Sequence, residues 1–120
     1  MTLKKLEKEY WNYKFDGGAY VTPEYKSFER KYINYLKNLA KTNNWEVVNV
    51  SKGHFEFSLF FRNEENKYIY FSISDVRFWH NEWYDDILVR TAHNEQDYHG
   101  GSNHFTTLPE LETIIQKLFN

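Results

Sequence analysis

Between Phe55 and Ile73 the apolar residues recur at every second position, and no helix can satisfy that period. Phe55, Phe57, Leu59 and Phe61 fall on one side of an extended chain, opposed by Glu56, Ser58, Phe60 and Arg62. After Asn63-Glu64-Glu65-Asn66, Ile69, Phe71 and Ile73 resume the same alternation, so two strands joined by a short polar turn are expected. Lys52-Gly53 links the first of them to a preceding strand at about Trp45 to Val50, and Ile87, Val89 and Thr91 mark a fourth. The alternation slips once, where Val76 and Phe78 take even positions, which predicts a bulge or a strand end near Asp75.

The flanks are helical. Leu3, Leu6, Tyr10 and Trp11 lie at helical spacing, with Asp16-Gly17-Gly18 as the stop. Thr22-Pro23 reads as a cap followed by proline at the first helical position, where the missing N–H costs nothing. Tyr25, Phe28, Tyr32, Tyr35, Leu36 and Leu39 then form one stripe that ends at Asn43-Asn44. Near the C-terminus, Thr107 and Glu110 have capping-box spacing ahead of Leu111, Ile114, Ile115 and Leu118. The expected fold is α+β: a four-stranded antiparallel meander with the N-terminal helices and a C-terminal helix packed on one face. Residues 1–120 show no repeat or linker, so one domain is expected.

Composition narrows the function classes. Without cysteine, disulfides, thiolate metal sites and thiol nucleophiles are excluded. No leader-like or membrane-spanning apolar run is visible, and with no cysteine a reducing compartment is compatible, so the expectation is a soluble cytoplasmic chain without membrane association. Residues 1–62 carry 11 Lys/Arg against 7 Asp/Glu, whereas residues 63–120 carry 4 against 10. Such asymmetry is compatible with separately solvated faces, or with an acidic patch that attracts a basic partner.

Few runs suggest chemistry. His93, Glu95, Asp97 and His99 are ligand types at alternate positions, but with Asn94, Gln96 and Gly100-Gly101 they read as a polar loop, so no metal and no cofactor is expected. Glu65-Asn66-Lys67 has the Glu-x-Lys spacing of restriction-type nucleases yet spans a turn, and His80-Asn81-Glu82 and His93-Asn94-Glu95 lack the strand-to-helix order of a His nuclease unit. Neither a phosphate-binding glycine loop nor a Gly-x-Ser-x-Gly elbow occurs, so no catalytic residue is assigned.

Two binding surfaces remain. Trp79, Glu82, Trp83, Tyr84, Asp85 and Asp86, together with Glu95 and Asp97, combine aromatic anchors with carboxylates that would orient a basic protein. Alternatively, Phe60, Tyr68 and Tyr70 with Arg62 and Arg90 would offer single-stranded nucleic acid a stacking platform on the uncovered sheet face.

The set Tyr70-Phe71-Ser72-Ile73-Ser74-Asp75-Val76-Arg77, Asn81-Glu82-Trp83-Tyr84, Ile87-Leu88-Val89-Arg90-Thr91-Ala92 and Gly100-Gly101-Ser102-Asn103 resembles small uncharacterised proteins of bacterial phages and conjugative elements. Proteins of this size and setting include anti-CRISPR proteins. The resemblance implies a non-enzymatic inhibitor in the cytoplasm of a bacterial host, whose partner is a host protein, a CRISPR-associated nuclease or its nucleic-acid complex.

Overall fold

The computed structural model describes residues 2–14, 23–52, 57–73, 87–99 and 101–120. The expected bulge at Asp75 and the stop at Asp16-Gly17-Gly18 lie outside these residues.

Among the described residues, three helices, α1 (Leu3–Lys14), α2 (Pro23–Thr42) and α3 (Leu111–Phe119), accompany five strands: β1 (Glu46–Lys52), β2 (Phe57–Arg62), β3 (Tyr68–Ile73), β4 (Ile87–Ala92) and β5 (His104–Thr106). All strands pair antiparallel with their neighbours in chain order, making the meander one strand wider than the four expected. Helix α2 starts at Pro23, the position its fixed φ favours. It closes on Asn44 at φ 60°, with Trp45 N–H donating to the Ala40 carbonyl at 2.8 Å and Asn44 N–H to that of Lys41 at 3.2 Å. This pair of bonds satisfies carbonyls that the last turn would otherwise leave open and turns the chain directly into β1.

The expected capping box at α3 is displaced. Thr107 Oγ1 does accept the Glu110 N–H at 3.3 Å, but this closes a turn over residues 108–110, and α3 begins one turn later. The turn seats Leu108 in the core at 1% exposure. Between β2 and β3, Asn63 Oδ1 accepts the N–H groups of Glu65 and Lys67, and Asn66 sits at φ 59°. Glu65-Asn66-Lys67 is thus part of a tight hairpin turn.

Register divides the sheet into two faces. Leu59, Phe71 and Val89 stand opposite one another, as do Phe57, Ile73 and Ile87, and all are buried. Leu6 of α1, Phe28, Tyr32 and Leu36 of α2, and Leu111, Ile115 and Phe119 of α3 close over this face. Each fully buried Phe or Leu contributes about 1.5–3 kcal/mol, so this layer dominates the stability. Val48, Phe60, Tyr70 and Arg90 make one cross-strand row on the opposite face, and Glu46, Arg62 and Tyr68 make the next.

Candidate functional site

The turn that follows β4 covers the Phe60–Tyr70–Arg90 row of the second sheet face. Tyr98 packs edge-on against Phe60 at 5.6 Å and Tyr70 at 6.0 Å between ring centroids, while Phe60 and Tyr70 meet each other at 5.3 Å. Three rings in mutual edge contact form a small satellite core on the side that alternation alone assigns to polar residues. Phe60 is accordingly 0% exposed.

Two side chains fasten the turn. The Arg90 guanidinium lies 4.5 Å from the centroid of the Tyr70 ring and donates to the Asp97 carbonyl at 2.7 Å. Arg90 is 3% exposed, so both contacts operate away from bulk water, where a cation over a ring and a charged donor on a carbonyl are worth most. From β1, Asn49 Nδ2 donates to the Tyr98 hydroxyl at 3.0 Å and to the Glu95 carbonyl. Asn49 reaches them because β1 breaks register between Val48 and Ser51, with Asn49 at φ 50°. Bulges re-aim side chains, and this one turns an amide toward the 93–99 segment.

Inside the turn, the Asp97 carboxylate accepts the N–H groups of His93 at 2.9 Å and His99 at 3.2 Å, and Asn94 Oδ1 accepts that of Gln96 at 2.8 Å. The two backbone donors to Asp97, with smaller contributions from Arg90 and His93, hold its carboxyl below the ordinary aspartate range. A depressed folded pKa adds stability that is present above the unfolded pKa and is lost as pH falls through the folded value. An Asp97→Ala variant should therefore differ from the parent at neutral pH and converge with it in acid below the ordinary carboxylate range. Urea denaturation across pH 2–7 checks this. A gap that persists unchanged at the acid end would remove the assignment.

Gly101 follows at φ +75°, and a Cβ there would meet the Thr91 carbonyl at 2.7 Å. The chain leaving the turn therefore lies directly against β4, an approach only glycine permits.

Of the residues expected to bind a protein, Trp79, Glu82, Trp83, Tyr84, Asp85 and Asp86 lie outside the described residues. Glu95 and Asp97 fall in the fastened turn, both half-buried. They follow the end of β4, whereas the acids at 82–86 precede its start. Of the nucleic-acid set, Phe60 and Arg90 are buried beneath Tyr98 and the turn, and Tyr70 is half-buried beside them, so Phe60 does not present the open stacking face expected from sequence. A base would have to displace Tyr98 before it could stack on Phe60. Arg62 and Tyr68 stay half-buried near the sheet rim. The Arg62 guanidinium is held above its ordinary pKa, first by its bond to Tyr68 and then by Glu46, with which it forms an ion pair.

Asp97 thus serves the turn backbone, and among the described residues no three His, Asp or Glu side chains are grouped to hold a metal ion. Tyr98 and Asn49 were not singled out by sequence. A lone aromatic inside a polar run beside Gly-Gly was the available signal for the first, and the broken alternation after Val48 for the second. Among the described residues no helix is long and apolar enough to cross a membrane. No protein-family model, curated protein or solved structure matches the chain.

Proposed function

We propose that this chain is a non-enzymatic protein-binding domain of a mobile element, acting on a host nuclease of the RNA-guided type through the aromatic and acidic segments that flank β4. The observation that supports this reading is the fastened turn at residues 93–99. Arg90, Asn49 and Tyr98 hold it on the sheet, and Asp97 holds its backbone, so its exposed His93, Asn94 and Gln96 keep fixed positions. A preorganised polar surface loses less entropy on docking than a loose loop of the same composition. Three groups in or beneath this turn that sequence offered for chemistry or for stacking have structural partners: Asp97 the backbone, Arg90 carbonyls and a ring, Phe60 two tyrosines.

The acids at 82–86 supply the attraction in this reading, since a Lys/Arg-rich nucleic-acid channel is the natural complement of carboxylates beside indole rings. Simultaneous reversal of Glu82, Asp85 and Asp86 to lysine should weaken binding to a purified RNA-guided nuclease by at least about tenfold. Binding by interferometry, with circular dichroism to confirm the fold, is the measurement. A folded triple variant that binds and inhibits like the parent overturns the proposal.

A further inference from the structure

The two edges of the sheet are built differently. At β1 the register shift at Asn49 and Val50 and the charged ends Glu46 and Lys52 interrupt any strand that would pair there. At β5 the run His104-Phe105-Thr106 has no bulge, no proline and no carboxylate or ammonium group, and no strand among the described residues pairs with its outer side. Phe105 is 70% exposed on the face it shares with Leu88. Toward the other face, a groove of about 640 Å³ is lined by all three β5 residues, Phe105 included, and by Glu110, Thr113, Ile114, Lys117 and Leu118 of the α3 side. A strand added at this edge would find an aromatic ring on one side and a half-buried Ile114–Leu118 stripe on the other.

Charge selects the occupant. Glu110 and Lys117 lie along the same groove, separated by about two helical turns, or roughly 10 Å. A uniformly acidic or basic segment would meet a like charge at one end. A second copy of α3 running antiparallel, with the twofold axis near Thr113 and Ile114, sets Glu110 against the other copy's Lys117 twice over. That is the condition an isologous contact must satisfy.

We propose that two copies of this chain associate about a twofold axis through β5 and α3, joining their sheets edge to edge with the two α3 helices antiparallel across the seam. The surface is separate from the turn at residues 93–99, and the association does not depend on the binding role proposed for that turn.

Sedimentation velocity from about 1 to 500 μM, which spans the weak end of interface affinities, should show a rise toward twice the 14.7 kDa chain mass. Lys117→Glu alone and Glu110→Lys alone should each weaken association roughly tenfold or more, since attraction becomes repulsion at both symmetry-related contacts. Mixing the two variants in equal amounts should restore a heterodimer, because each Glu then faces a Lys again. Both sites are exposed, and circular dichroism of each variant separates lost association from lost fold. Phe105→Lys should abolish the dimer by placing a charge on the open edge. A parent chain that stays monomeric throughout, single variants that associate like the parent, or a mixture that fails to recover would each overturn the proposal.

Discussion

Phe71→Ala is expected to destabilise the fold by about 3–5 kcal/mol and to lower the melting temperature by on the order of 15–20 °C. Phe71 is 0% exposed on the middle strand of the five, opposite Leu59 and Val89. Its ring meets those of Phe57 at 6.1 Å, Phe61 at 6.2 Å and Tyr32 at 6.4 Å, so truncation removes one ring from a cluster that spans β2, β3 and α2. Neighbours anchored on two other elements cannot all close into the gap, which is why the cavity contribution adds to the transfer loss. Total stability of a domain this size is about 5–15 kcal/mol, so the loss is a large fraction of it and brings a parent at the low end of that range to the threshold of folding. Phe71→Leu should cost far less, about 1–2 kcal/mol, because most of the volume remains. Thermal denaturation of both variants tests the assignment. Equal losses would mean that ring packing at Phe71 is not what matters there.

The layer around Phe71 was legible because its cause is local. Period-2 runs from Phe57 to Phe61 and from Ile69 to Ile73, and the 3.6-residue stripe through Phe28, Tyr32 and Leu36, each declare a face without reference to the rest of the chain. Strand β5 could not be read this way. Three residues, His104 to Thr106, are too few to display a period, and they become a strand only because Ile87, Leu88 and Val89 offer them a pairing edge. Tertiary context also moved the start of α3: Leu108 is drawn into the core, and the Thr107 cap serves the short turn this creates.

The second sheet face resisted sequence for a related reason. Alternation placed Phe60 with Ser58 and Arg62, and a ring on such a face reads as exposed and available to a partner. Its cover, Tyr98, comes from a polar segment far along the chain and depends on an arginine from β4 and an asparagine from a bulge in β1. Contacts assembled from three distant segments leave no spacing to detect. The acidic character of residues 82–97 was visible in composition, but the use of Asp97 to bind two backbone N–H groups was not.

Arg90→Ala is expected to cost about 2–4 kcal/mol and, beyond that, to free the turn at residues 93–99 from the sheet. The guanidinium is 3% exposed, lies as a cation over Tyr70, and donates to the Asp97 carbonyl at 2.7 Å and, more weakly, to that of Thr91 at 3.4 Å. Alanine leaves the Asp97 carbonyl without its charged donor, opens space beside Tyr70 and removes the side chain that links β4 to the far end of the turn. Arg90→Lys should rescue only part of the loss, since an ammonium is a compact point charge that lacks the planar fork able to lie over the ring while donating sideways. The distinguishing readout is amide exchange. The His93 and His99 N–H groups, bonded to the Asp97 carboxylate, should lose protection by more than the drop in global stability accounts for, while amides of β2 and β3 follow the global change. Uniform loss across sheet and turn would show that Arg90 only adds stability. Selective loss at the turn, together with weaker binding to the nuclease, would tie the rigidity of this surface to the interaction proposed for it.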